Sequence, residues 1–254
     1  MVGVVTLFSG SEANSSLIIN GQRLVLIDAG ASASAILKAV SSLGFDPEAI
    51  EGAFITHEHS DHTKGIRVLL KKLPKLKLYM SRGTADALDL DFDNLQIIKC
   101  GEQISCGGCD FVPFPTPHDA EESFGYVVYN GGRKQIGYAT DIGFITDEIR
   151  ISLIGCKTVV LESNHDENML MLGRYPYELK RRIMSNRGHL SNEACDRFIQ
   201  ELVVGGTENI ILAHLSCENN MPEIALAGAK NAASEKAANI CIAPKKEPSE
   251  AYYA

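Results

Sequence analysis

Short apolar runs separated by turn residues open the chain, and segments with apolar residues three and four positions apart come between the later ones. Val2 to Phe8, Ser15 to Ile19 and Arg23 to Asp28 read as strands, with Asn20-Gly21 as a tight hairpin turn between the last two. Ser32 or Ser34 caps a helix through Leu43 that Gly44 stops. Gly52-Ala53-Phe54-Ile55 is a buried-type strand, and Ile66, Leu69, Leu70 and Leu73 give Thr63 to Leu73 a helical period.

From Leu78 the pattern predicts a strand, a helix at Arg82 to Leu88, and strands at Leu95 to Ile98, Gln103 to Cys106, Asp110 to Phe114, Phe124 to Tyr129 and Lys134 to Ala139. A helix near Thr146 to Leu153 leads to a strand at Thr158 to Leu161. Helices follow at about Pro176 to Ser185 and Asn192 to Val203, then a strand at Asn209 to Leu212, a helix from Pro222 to Lys236 and a last strand at Asn239 to Ala243. The polar tail, residues 244–254, is expected to fray. Two runs of strands, each closed by helices, fit an α/β sandwich of helix, sheet, sheet and helix.

The 254 residues are 45% hydrophobic and contain no long polar tract, enough for a sizeable core. No apolar stretch approaches the roughly 20 residues of a membrane span, and the amino terminus has no signal-type pattern. A cytoplasmic protein without membrane contact is expected. Seven scattered cysteines suggest reduced thiols, and Cys106-Gly-Gly-Cys109 reads as a hairpin turn rather than a redox or zinc site. A net charge of −8 argues against nonspecific adhesion to nucleic acid but leaves room for local basic patches.

One stretch changes the picture. Thr56-His57-Glu58-His59-Ser60-Asp61-His62 follows the apolar strand directly. Alternate residues of an extended segment point the same way, so His57 and His59 converge on one cation. Asp61 and His62, where the chain turns into the helix, face a second point nearby. Imidazole and carboxylate are ligands for zinc and similar ions, and two metals about 3.5 to 4 Å apart are the natural reading.

The H-x-H-x-D-H spacing resembles the metallo-β-lactamase superfamily, whose fold is a single-domain αββα sandwich; on that basis we assign residues 1–254 to one domain. The resemblance implies further ligands, and His118, Asp141 and His214 stand in the expected order, each just past a predicted strand. It implies one metal on His57, His59 and His118, a second on Asp61, His62 and His214, and Asp141 as the bridge. Zinc is the first expectation, with manganese or iron also accepted by such ligands. Asp28 reads either as a carboxylate that orients a ligand from behind or as a simple strand-end residue.

Such a site supplies a metal-bridging hydroxide, with Asp61 in the catalytic set, so hydrolysis is the expected reaction. A leaving alkoxide gains from a proton donor, and Gly188-His189-Leu190-Ser191 and Leu161-Glu162-Ser163-Asn164-His165 offer His189 with Glu162. These pieces, with Pro117-His118-Asp119-Ala120, Thr140-Asp141-Ile142-Gly143 and the stretch from His214 to Asn220, are similar to the YycJ (WalJ, VicX) family. Membership implies a 5′-to-3′ exonuclease with nucleic acid as partner, DNA ahead of RNA.

The resemblance also makes Asn14, His165, Ser216, Asn219 and Asn220 candidate substrate contacts. Two positions depart from the family pattern: Ala13 stands where glycine is usual, and Pro117 where serine is common. The loop Ser9 to Ser15 is either a plain loop or a phosphate-facing one. Arg182, with Arg174, Lys180, Arg181 and Arg187, forms either a strand-tracking basic stretch or a solvated helix face. A small-molecule hydrolase, a glyoxalase II-type thioesterase or a lactonase, is the rival reading of the same ligands.

Overall fold

The computed structural model describes residues 1–90, 92–233 and 238–254. Its first sheet begins with β1 (Val2–Phe8), β2 (Ser15–Asn20), β3 (Arg23–Ile27), β4 (Ile50–Phe54), β5 (Lys77–Met80) and β6 (Leu95–Ile97). The second contains β7 (Ile104–Cys106), β8 (Cys109–Pro115), β9 (Phe124–Asn130), β10 (Arg133–Ala139), β11 (Thr158–Glu162), β12 (Asn209–Ala213) and β13 (Asn239–Ile242). Strand order runs β1 to β6 in the first sheet and β13 back to β7 in the second. In each sheet antiparallel hairpins give way to parallel strands: β3 to β6, and β10 to β13. Parallel strands end on a common edge, so the loops after them collect there.

Alternation along the strands builds three apolar layers. In β1, Val5 and Leu7 face α1 (Ala33–Ser42) and α3 (Ile66–Lys72), while Val2 and Val4 face the other sheet. The second sheet is covered by α5 (Asp147–Leu153), α8 (Asn192–Val204) and α9 (Pro222–Ala233) over Val159, Leu161, Ile210 and Leu212. Between the sheets Phe54 stacks on Tyr79 at 4.4 Å and on Phe111 of the facing sheet at 4.1 Å. The four-layer α/β sandwich expected from the sequence is the observed fold.

Three expectations need correction. The helix expected over Thr63 to Leu73 is split into α2 (Ser60–Thr63) and α3. Gly65 makes the break: its amide donates to Ala29 O at 2.7 Å, and a Cβ there would lie 2.4 Å from Ala31 O. The tail from Pro244 does not fray. Ser249 is buried and exchanges hydrogen bonds with the Thr6 backbone, and β14 (Tyr252–Tyr253) pairs with β1, covering an edge that would otherwise be open. Gly3 makes room for this, since a Cβ there would come within 2.7 Å of the Tyr253 ring. Finally, α6 (Glu167–Leu172), which buries only Leu170, was not expected.

The other elements agree closely with expectation, including α4 (Arg82–Ala87) and α7 (Tyr177–Ile183). The expected end of the last long helix, near Lys236, lies outside the described residues. Cys106 and Cys109 are reduced and face each other across the β7–β8 hairpin. Among the described residues no helix is long and apolar enough to cross a membrane.

Candidate metal centre

The site lies along the common edge of the two sheets. From the first sheet comes one continuous segment, His57 to His62, released at the end of β4 and turned by α2. The second sheet contributes single residues: His118 after β8, Asp141 after β10, Glu162 at the end of β11 and His214 after β12. Asp28, Asp141 and His214 adopt φ values of 62°, 57° and 57°, a left-handed turn within two residues of the ends of β3, β10 and β12. Asp and His tolerate this region better than most residues, but it still costs on the order of 1 kcal/mol or more each.

His57, His59 and His118 form one group whose donor atoms all lie within 4.8 Å of one another, and Asp61, His62 and His214 form another. His59 Nδ1 is 3.3 Å from His118 Nε2. Asp61 Oδ2 is 3.4 Å from His62 Nε2 and 3.6 Å from His214 Nε2. Asp141 lies between the groups, with Oδ1 3.8 Å from His118 Nε2 and 3.5 Å from His214 Nε2, and Oδ2 3.2 Å from His62 Nε2. The seven side chains named from the sequence therefore meet, in the two sets expected.

Three of the imidazoles are oriented from behind. His62 Nδ1 is 2.8 Å from Asp28 Oδ2, and Thr56 binds both oxygens of that carboxylate through its hydroxyl. His57 Nδ1 is 3.0 Å from the Thr56 hydroxyl, and His118 Nδ1 donates to Gly188 O at 3.1 Å. These contacts leave the Nε2 atoms facing inward. His57 Nε2 and His214 Nε2 are buried without hydrogen-bond partners, a costly condition that coordination to a cation would relieve.

Charge points the same way. Burial alone would lower His62 and His214, yet Asp141 and the other nearby carboxylates raise His62 well above its usual value and His214 to about 10. Burial would raise Asp61 and Asp141, but neighbouring histidines hold both far below the usual carboxylate range. The cluster of acids draws positive charge to itself, and divalent cations would supply it without protons. The donor set therefore fits two such ions.

Beside the ligands, Glu162 is fully buried and has all its lone pairs engaged. Oε2 accepts the amides of Ile142 at 2.7 Å and Leu190 at 3.2 Å, while Oε1 faces His189 Nδ1 at 2.7 Å and His214 Nδ1 at 3.2 Å. Burial opposes its ionisation, but the two histidines hold it at about 2. Although Asp141, Glu162, His189 and His214 converge closely enough to suggest a third cation site, these hydrogen bonds account for the convergence. The His189 ring is 17% exposed and stands 5.3 Å from the His118 ring and 5.2 Å from the His214 ring.

The expected substrate contacts fare differently. Asn14 is at the site, its Nδ2 3.2 Å from Asp61 Oδ2 and 3.0 Å from His62 Nε2. Ser216 instead caps a turn by accepting the amides of Glu218 and Asn219, and Asn220 bonds Ser163 O, Asn164 O and Asn192. Asn219 is 1% exposed with its carbonyl on Asp166 N, and His165 is buried against Asn164. Ser216, Asn220 and His165 brace the loops behind His214 through these bonds, whereas the side-chain Nδ2 of Asn219 is buried without a partner.

The basic stretch is also largely engaged. Lys180 donates to Met171 O and Gly173 O, Arg187 to His118 O and Ala120 O, and Arg181 lies over Tyr177. Arg182 Nε donates to Asp119 Oδ2 at 2.5 Å, and Asp119 Oδ1 lies 3.3 Å from His118 Nε2, so Arg182 reaches the site's rim through that carboxylate. Sequence reading assigned no role to Asp119, Thr56 or Asn164, whose Nδ2 lies 3.2 Å from His214 Nδ1. His118-Asp119 adjacency was the available signal for the first.

Comparison with known proteins agrees with this geometry. Residues 23–215 match the model of the beta-lactamase superfamily domain. The chain is 34% identical to exodeoxyribonuclease YycJ of Bacillus anthracis over 91% of this chain and 88% of that protein. It is 32% identical to exodeoxyribonuclease WalJ of Streptococcus pneumoniae D39 over 86% of this chain and 83% of that one. The crystal structure of the metallo-beta-lactamase fold protein YhfI from Bacillus subtilis superposes with a TM-score of 0.77, covering 98% of this chain and 100% of the other at 17% identity, a likeness of fold. With its His and Asp clusters on this fold, the chain belongs to the metallo-β-lactamase superfamily, in the family of YycJ and WalJ, and is a metal-dependent hydrolase.

Proposed function

We propose that the chain is a phosphodiesterase acting on nucleic acid, removing nucleotides from DNA in the 5′-to-3′ direction, with zinc as the first candidate metal. The observation that carries this reading is the His189–Glu162 pair beside the two ligand groups. When bound, two divalent cations activate a water for attack and offset charge on the phosphate oxygens.

The chain's own residues do the rest. Glu162, ionised and saturated with hydrogen bonds, takes the Nδ1 proton of His189 as its partner. That fixes the ring, with Nε2 left to hand a proton to the departing alkoxide. Asn14, buried with its Nδ2 on Gly10 O and Asp61 Oδ2, holds Asp61 in place. A thioester hydrolase needs no such donor, because a thiolate departs unaided, and this separates the proposed substrate class from the glyoxalase II-type alternative.

The test uses three substrates with the metal-loaded protein: single-stranded DNA labelled at its 5′ end, bis(p-nitrophenyl) phosphate and S-lactoylglutathione. DNA should be degraded, and His189→Ala should lower its turnover by about 10²- to 10⁴-fold with metal content unchanged. The same variant should lose much less on bis(p-nitrophenyl) phosphate, whose leaving group departs without a proton. Hydrolysis of the thioester alone would end the nuclease reading, and equal losses on both phosphodiesters would remove His189 as the donor.

A further inference from the structure

Next to the ligand groups opens a cavity of about 610 Å³, outside every role assigned above. One side is apolar, formed by Phe8, Ala13 and Ala31; the rim carries Lys64, Lys245 and Lys246. Against these three cations the lining holds one carboxylate, Glu12, which pairs with Lys246 at 3.5 Å. On a chain of net charge −8, this is a local reversal of sign.

The cavity is fastened to the site. Its wall, the loop from Ser9 to Ala13, is locked by Asn14: Oδ1 accepts Gly10 N at 3.0 Å, and Nδ2 donates to Gly10 O at 3.0 Å and to Asp61 Oδ2 at 3.2 Å. Gly30, also in the lining, packs so tightly on Asp61 that a Cβ would fall 1.6 Å from its carbonyl oxygen. The amides of Gly10, Ala13 and Asn14 are engaged within the loop or on Asp61 O, so the lysines are the cationic groups of the cavity. Lys245 is itself positioned, donating to Cys217 Sγ at 3.3 Å.

An apolar wall with an aromatic edge and a cationic rim is the chemistry that a nucleotide presents in complement: a flat base and a charged phosphate. We propose that this cavity seats the terminal nucleotide of the strand, its base against Phe8 and its terminal phosphomonoester at Lys64, Lys245 and Lys246. The inference rests on the nuclease reading above and adds to it the means by which a strand end is told from its interior. The tail is then part of the recognition surface, because two of the three lysines lie on it.

The experiment compares DNA strands carrying a 5′-phosphate, a 3′-phosphate or hydroxyls at both ends, using metal-loaded wild type and the Lys64→Ala/Lys245→Ala variant. Wild type should favour the 5′-phosphorylated strand about tenfold or more in kcat/KM, because the proposed 5′-to-3′ exonuclease takes that end first. The variant should lose the preference through a raised KM, with metal content and melting temperature unchanged. Lys64→Arg/Lys245→Arg should restore it. A wild type that does not favour the 5′-phosphate, or a preference that survives in the alanine variant, overturns the inference while leaving cleavage of DNA itself intact. If no DNA is cleaved in any form, the nuclease reading fails and takes this one with it.

Discussion

The two sheets contribute to the metal centre in different ways. The first supplies four of the seven proposed ligands from a single turn, His57 to His62, while the second supplies three from three separate strand ends. Neither sheet completes a group alone: His118 joins His57 and His59, and His214 joins Asp61 and His62. The buried carboxylates behind the ligands differ as well. Asp28 serves one imidazole, whereas Glu162 serves two, His189 and His214. On the proposed reading the first sheet would hold cations, and the second would both hold them and handle a proton.

Four measurements would break or sharpen that contrast. The largest effect should come from chelation, which should abolish hydrolysis and lower the melting temperature, because each group draws on both sheets. A cation held at about a hundred times its Kd contributes about 2.7 kcal/mol. An unchanged melting curve would mean that the ions do not join the two halves.

Next, Glu162→Gln should lower DNA turnover by about 10²- to 10⁴-fold, since His189 loses the carboxylate that orients its ring. Asp28→Asn should instead weaken the affinity for the second metal by about 10- to 100-fold, with turnover recovered at excess metal. If excess metal rescued the first variant and not the second, the assigned division of labour would be reversed.

The smallest effect lies outside the site, in the same sheet's covering helices. Asp196 of α8 keeps a buried oxygen without a partner, and burial, with help from Glu193, pushes its carboxyl from 3.8 to about 6. The folded state therefore favours the protonated acid, so stability is full below the unfolded value and declines as pH rises through the folded one. Asp196→Asn should raise the melting temperature slightly at about pH 8 and leave it unchanged at about pH 3. Glu162, pulled the opposite way by its partners, marks what hydrogen bonds do for a buried acid.

The same contrast decided what was legible in the sequence. Four ligands within one short turn announce themselves, because nothing but a cation explains that density of histidine and aspartate after an apolar strand. His118, Asp141 and His214 each stand alone in an ordinary loop, and only the order implied by the family resemblance picked them out. The bracing bonds of Ser216 and Asn220 were invisible for the same reason: a polar cluster beside a proposed ligand looks the same in sequence whether it faces a substrate or braces a turn. The strands were legible from their apolar runs. The C-terminal strand was not, because Tyr252 and Tyr253 gain their partners from residues at the opposite end of the chain. Helix α6 escaped notice because one buried leucine leaves no periodic trace.

The left-handed conformations at Asp28, Asp141 and His214 limit how far this centre could be transplanted. Copying the ligating side chains onto another sandwich would not reproduce it, since three of the key positions need a backbone that most scaffolds do not offer. Glycine would relax each bend and discard the very group the bend exists to aim. A designer would have to carry over the strand ends whole, bends included, and choose a host stable enough to tolerate them.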